Sequence, residues 1–320
     1  MHTLTLGKTG LPVSEIGLGL AAIGRPGYIT PGRERDLGSD RSVEVLQARA
    51  YSLLDAAHAG GIRYLNAARS YGLAEEFLAS WLERRAIPPG EITVGSKWGY
   101  RYTADWLVGA EINEIKDHSA ANLQRQLSES RALLGGRLRL YQIHSATLEG
   151  GVLDELRRLG DAGLAIGLTV SGPHQADVIR RALKVRVGGR TVFGSVQATW
   201  NLLEPSVAPA LAEAKEAGLG VIVKEALANG RLASPSPRLP GPLAALAKRL
   251  GRAPDAIAIA VALAQPWSDV VLSGAVTPDQ LSSNLAAVEV GLSRGTLSDM
   301  AALAEPPERY WATRASLAWT

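Results

Sequence analysis

An alternation of two kinds of segment constrains this chain most. Short apolar runs recur at Ile16–Leu20, Arg63–Ala67, Ile92–Lys97, Leu138–His144, Ile166–Ser171, Val192–Ala198, Gly220–Glu225 and Val270–Gly274. Several are nearly continuous, as parallel strands buried on both faces must be. Longer runs with helical periodicity lie between them, at Val45–Ala59, Ala74–Arg85, Ser119–Leu134, Val152–Asp161, Gln175–Leu183, Pro209–Ala217 and Pro278–Val288. LDELRRLGDAG and LAEAKEAGLG each reach glycine just before a strand, where glycine can take the left-handed conformation that closes a helix. Eightfold alternation predicts an α/β fold of the (β/α)8 TIM-barrel type. An open doubly wound sheet would carry a glycine-rich phosphate turn after its first strand, and none follows here.

Three segments depart from the alternation. HTLTL and LPVSEIGLG flank the turn GKTG, which predicts an N-terminal β-hairpin that caps the barrel over residues 1–14. Gly24–Asp40, rich in Gly, Pro and charge, reads as a loop over the barrel mouth, and the Pro-rich Ser234–Pro242 as an exposed connection. Residues 292–320 form a C-terminal extension. Its end, PPERYWATRASLAWT, is aromatic enough to cover the mouth, and equally suited to the barrel exterior or to another subunit. With no shorter repeat and no linker, residues 1–320 read as a single barrel domain.

Composition narrows the partners. The chain has 320 residues, 46% of them hydrophobic, enough for a large core. Its net charge is +3, but no run of five like charges occurs, which argues against nucleic acid. The absence of cysteine excludes disulfides, thiol nucleophiles and thiolate metal sites. No stretch approaches the ~20 apolar residues of a membrane span, and MHTLTLGKTG lacks a secretory pattern. These features together predict a cytoplasmic protein. No acid or histidine spacing suggests a metal, and His58, His118 and His174 read as surface or structural residues.

Catalytic groups of such a barrel lie where its strands end. The second strand ends at Asn66, with Tyr71 in the loop that follows. The third ends at Lys97 in VGSKWG, and the fourth at His144 in YQIHSA. Lysine is scarce, at 7 of 34 basic residues, so Lys97 stands out.

GIRYLNAARSYG, Gly61 to Gly72, resembles the signature of the aldo-keto reductases. LGKTGLPVSEIGLG resembles that family's opening hairpin, VQATWNLLEP its sixth strand, GVIVKEALANGRL its seventh and LSGAVTPDQLSSNLAA its cofactor-phosphate segment. The resemblance covers nearly the whole chain. It implies a barrel that binds NADP(H) or NAD(H) and moves hydride between nicotinamide and a carbonyl or alcohol. It also implies a tetrad of Asp, Tyr, Lys and His, of which Tyr71, Lys97 and His144 carry over. Tyrosine, ordinarily near pKa 10, is a poor acid at neutral pH, and a charged Lys97 would make it a better one. His144 can donate a hydrogen bond to the developing oxyanion.

Two positions depart from the family. Asn66 replaces the carboxylate: its amide oxygen can still accept from Lys97, but it brings no charge, so the Lys97 pKa should fall. Lys224 replaces an aromatic ring that stacks on nicotinamide. It is free to face cofactor phosphates or to pair with Glu225. The resemblance further implies cofactor contacts at Thr169, Ser171 and Gln197, with the phosphate end at Gly274, Gln280 and Asn284. The family's clamping cations are missing there, and NADP(H) is favoured over NAD(H) by analogy. Trp98 is expected to line the substrate mouth, joined by Tyr28, Tyr100, Tyr102 and Trp106, with pocket walls from 24–40, 99–117 and 306–320. The leading expectation is an NAD(P)H-dependent oxidoreductase acting on a small carbonyl or alcohol, with Tyr71 as acid and base. The departures keep open a cofactor-binding sensor, or a barrel turned to dehydration.

Overall fold

A computed structural model describes residues 1–30, 32–148 and 150–320. Eight parallel strands close into a barrel. They are β1 (Ile16–Gly19), β2 (Tyr64–Asn66), β3 (Thr93–Trp98), β4 (Leu138–Ile143), β5 (Ala165–Thr169), β6 (Ser195–Thr199), β7 (Gly220–Lys224) and β8 (Val270–Ser273). Each pairs with its neighbours in sequence order, and β8 returns to β1 through Leu272 opposite Gly17. The outer helices are α1 (Val43–Ala59), α2 (Ala74–Arg84), α3 (Ala120–Leu134), α4 (Leu153–Asp161), α5 (Gln175–Lys184), α6 (Ala208–Glu216), α7 (Pro254–Leu263) and α8 (Pro278–Leu285). Among the described residues no helix is long and apolar enough to cross a membrane.

All eight expected strands form, as do the seven expected helices. The sequence reading omitted α7 and the preceding helix Gly241–Leu250. PDAIAIAVAL is apolar on every side and almost wholly buried, so it carries no amphipathic stripe to mark it as a helix. The expected sixth strand began too early: Val192–Gly194 precede β6, and backbone pairing with β5 starts at Ser195.

Strand side chains alternate between the barrel interior and the helix layer. Tyr64 fills the centre. Neighbouring strands carry glycine beside it: a Cβ on Gly17 would lie 2.8 Å from the Tyr64 ring, and one on Gly95 2.7 Å from its hydroxyl. Below Tyr64, Leu140, Ile222, Val270 and Leu272 form a separate apolar cluster with Leu6, Leu11 and Val13. Those three come from the hairpin Thr3–Thr5 and Pro12–Ser14, which plugs the N-terminal end as expected. The Lys8 amide donates to Gly218 O at 2.9 Å, pinning the plug to the start of β7.

The mouth at the other end is roofed. The 24–40 segment, expected as a loop over the mouth, holds a short helix, Arg33–Leu37, and buries Arg25 and Arg33, with Arg41 buried just after it. Pro31, within it, lies outside the described residues. Arg41 Nη1 donates to Pro26 O at 2.6 Å, and Arg33 to Ala22 O. A two-stranded ribbon, Tyr100–Tyr102 with Glu114–Lys116, forms a second wall. The C-terminal helix Pro307–Ala315 and the tail after it form a third, with Thr320 N donating to Tyr28 O at 3.0 Å.

The plug and the mouth are at opposite ends, so they should separate by mutation. Leu6 is fully buried in the lower cluster. Leu6→Ala is expected to cost about 2–5 kcal/mol in urea unfolding while leaving cofactor affinity unchanged.

Candidate active site

One cavity of about 780 Å³ opens at the C-terminal ends of the strands. Asn66, Tyr71, Lys97 and His144 all line it. So do Thr169, Ser171, Gln197, Lys224, Gly274, Gln280 and Asn284. The sequence-derived set therefore shares one space, with one exception. Trp98 is fully buried in the helix layer against the His118 ring, and it is not part of the cavity wall. The period of two explains the correction, because Lys97 points inward and the next residue must point outward. Of the four other aromatic candidates, Tyr28 and Tyr100 line the cavity. Tyr102 and Trp106 do not, and Trp106 Nε1 is used to hold Arg41 O at 2.8 Å.

At the centre, Lys97 Nζ donates to Asn66 Oδ1 at 2.5 Å and to Ala67 O at 2.9 Å. The Asn66 amide nitrogen donates in turn to the Tyr64 hydroxyl at 2.8 Å. A carboxylate would have no proton for that bond. Asn66 thus joins the lysine above it to the barrel filler below. The Lys97 pKa is driven well below its usual value, first by burial and then by Lys224, outweighing Glu114 and Glu75. This is the fall anticipated for a lysine without a carboxylate.

Tyr71 lies 4.6 Å from Lys97 Nζ, measured to the ring centre, and meets the His144 ring edge-on at 5.6 Å. Burial, reinforced by Tyr28, pushes its phenol well above 10, while Arg25 opposes the rise. The expectation that Lys97 makes this phenol acidic is not met: burial dominates, and Arg25 is the cation that opposes it most. His144 is held near neutrality of charge by burial and by Lys97 and Lys224, which drive its pKa well down. Its Nδ1 faces Ser70 Oγ at 3.3 Å, and its backbone amide donates to Trp98 O at 2.8 Å.

Lys224 does not reach Glu225 closely, at 3.9 Å. Its ammonium donates instead to Ser171 Oγ at 2.6 Å and Thr199 Oγ1 at 2.9 Å. Burial lowers its pKa to about 8. Glu225 belongs to Arg314 of the C-terminal helix, whose Nε and Nη2 donate at 2.8 and 2.5 Å. Glu225 holds a left-handed φ of 56°, a strained position for a non-glycine residue. Burial would raise its pKa, but Arg314 and Lys224 outweigh it and bring it to about 2.

A model of the Aldo/keto reductase family matches residues 15–305. The chain belongs to that family. Membership makes it an oxidoreductase, and the fold agrees. An aldo-keto reductase of Bacillus halodurans, solved in its holo form, superposes with a TM-score of 0.72 at 24% identity, covering 95% of this chain and 97% of that one. L-galactose dehydrogenase of Arabidopsis thaliana is 27% identical over 94% of this chain and 93% of its own length. Pyridoxal 4-dehydrogenase of Microbacterium luteolum is 27% identical over 56% of this chain and 57% of its own.

Sequence reasoning missed Arg25, Glu114 and the Arg314–Glu225 pair, all of which line the cavity of this aldo-keto reductase. Arg25 and Glu114 are far apart in sequence and meet at 2.5 Å. Arg25 lies in an aperiodic loop and Glu114 opens a strand of only three residues, so no pattern marks them.

The Arg314–Glu225 pair makes a pH prediction. The folded carboxyl titrates at about 2 against an ordinary 4.5. Its stabilisation is therefore complete above the ordinary value and disappears as pH falls through the folded one. Arg314→Met should cost about 3–5 kcal/mol near neutrality, since it strands a buried charge. The deficit relative to wild type should shrink on acidification, as read from Tm against pH.

Proposed function

We propose that this aldo-keto reductase is nicotinamide-dependent, and that Tyr71 exchanges the proton at the substrate oxygen. The observation that carries the reading is the convergence of Tyr71, Lys97 and His144 on one wall of a cavity that extends to the start of α8. The residues present fit a dinucleotide. Gln197 is buried on the cavity wall and its Oε1 lacks a partner among the described residues, which suits a carboxamide N–H. A Cβ on Gly274 would meet nothing within 4 Å, so the backbone there is open to close approach. The eight-residue helix α8 follows; Thr277 Oγ1 caps it by accepting from Gln280 N at 3.2 Å, and Gln280 Oε1 accepts from Val276 N at 3.0 Å, so the turn that would meet a phosphate is held in place by its own side chains. Thr169, Ser171 and Lys224 would flank the nicotinamide end, and Gln280 and Asn284 would build the far end. Asn284 is itself held by Ser273 and Asp255, at 2.7 Å each.

Bound nicotinamide would supply or accept hydride, and everything else falls to the chain. In reduction, the Tyr71 hydroxyl donates to the carbonyl oxygen as negative charge develops there. A neutral His144 donates a hydrogen bond to the same oxygen. Lys97, fixed by Asn66 and Ala67, orients the phenol. Oxidation of an alcohol uses the same groups in the opposite protonation states.

Cavity-lining residues between 274 and 284 include one carboxylate, Asp279, and no cation. A carboxylate accepts from a ribose hydroxyl and repels a phosphate, so we read this arm as suited to NAD(H), against the family-based expectation of NADP(H). The mouth is polar, with Arg25, Tyr28, Tyr100, Glu114 and Lys224. Both named relatives are dehydrogenases of small hydroxylated molecules, which supports a small polyhydroxylated aldehyde or its hemiacetal as substrate. Their names also support redox chemistry over the sensor and dehydration readings.

Single-turnover oxidation of bound NADH and NADPH with a panel of small aldehydes tests this. Tyr71→Phe should slow hydride transfer by ~10²–10⁴-fold. Asn66→Asp should keep Lys97 charged, lower the Tyr71 pKa and move the pH–rate profile to lower pH. Fluorescence titration should rank NADH above NADPH. Transfer unaffected by Tyr71→Phe would remove the assigned role.

A further inference from the structure

Arg25 is a feature of the mouth that the tetrad chemistry leaves unused. It is 3% exposed and comes from the segment after β1. Its Nη1 donates to Ser70 O at 3.0 Å and to Glu114 Oε1 at 2.5 Å, and its Nε to Ala21 O at 3.2 Å. Three rings surround the guanidinium: Trp319 at 4.6 Å, and Tyr28 and Tyr71 each at 5.2 Å from ring centre to Cζ. Hydrogen bonds from three segments therefore hold a cation against the ring of the proposed acid.

We propose that Arg25 is a positioning residue that supplies Tyr71 with the permanent positive charge this tetrad, with Asn66, does not secure at Lys97. The inference rests on the proposed role of Tyr71. Lysine loses its proton readily on burial, whereas guanidinium keeps it. Lys97 donates only to neutral acceptors, Asn66 Oδ1 and Ala67 O, and the more distant Glu114 and Glu75 do not offset its burial. A cation beside a phenol favours phenolate. The groups that face Tyr71 are Arg25 and Tyr28 from the 24–40 segment, Lys97 from β3, Glu114 from the ribbon, His144 after β4 and Glu225 after β7. Glu114 both anchors Arg25 and opposes its charge at Tyr71. This gives the site an adjustable pair: removing either member should move the phenol in opposite directions. A purely structural Arg25 would produce no such opposition.

The experiment is the pH dependence of kcat/KM, in both reaction directions, for wild type, Arg25→Met and Glu114→Gln. The limb assigned by its loss in Tyr71→Phe should move up by roughly one pH unit in Arg25→Met and down by a similar amount in Glu114→Gln. Shifts of the same sign, or none, overturn the proposal. If Arg25→Met does not fold, Arg25→Lys and Arg25→Gln decide: the limb should stay near wild type where a cation is kept and move up where it is removed. If wild type transfers no hydride, the proposed function fails separately. The phenolate difference spectrum, wild type minus Tyr71→Phe, then reads Arg25 directly in the ligand-free protein. Phenolate onset at higher pH in Arg25→Gln but not in Arg25→Lys supports the inference, and an onset unmoved in Arg25→Gln overturns it.

Discussion

A buried lysine resting on a neutral amide is the contact around which the mouth of this barrel is organised. Lys97 and Asn66 face each other because β2 and β3 are adjacent and both residues point inward at the ends of their strands. Their bond is as short as an ion pair would be, at 2.5 Å. What it lacks is charge. The other side of Asn66 makes up a structural part of the loss, since its amide donates to Tyr64, the side chain that fills the barrel. An aspartate could only accept there. The same residue thus couples the packing of the interior to the geometry of the site, and the change from carboxylate to amide moves both.

Removing one negative charge from a cavity that holds Lys97, Lys224 and Arg25 has consequences further out. Two of its carboxylates, Glu114 and Glu225, are committed to arginines, at 2.5 Å each. Neither touches Lys97 directly. The centre is therefore a place where amines lose protons easily, and the permanent charges lie on guanidinium groups at the rim. Glu225 holds a left-handed backbone where it meets Arg314, a cost that the two-pronged ion pair can offset. The C-terminal helix is thereby part of the site's electrostatics as well as its roof.

The sequence made the barrel legible because eight buried strands impose a repeated constraint on composition, and the strand ends then located Asn66, Tyr71, Lys97 and His144. It was less informative where contacts join distant, aperiodic segments. Trp98 is next to Lys97 in sequence, but strand alternation sends its side chain to the opposite face. α7 was missed because a helix buried on all sides has no stripe. Arg25 gave no sign in GRPG: its meaning comes from Glu114, Tyr71 and Trp319, which only the folded mouth brings to it.

The tail illustrates the same point for the roof. Its aromatic residues were compatible with a cover, an outer patch or a subunit contact, because hydrophobicity alone names no partner. In the fold, Trp319 stacks on Arg25 and meets the Tyr28 ring edge-on at 6.2 Å, while Thr320 exchanges backbone hydrogen bonds with Tyr28. The tail therefore closes on the very segment that carries Arg25. Arg25 thereby lies against both the tail, at Trp319, and the proposed acid, at Tyr71, so the cover and the acid share one guanidinium.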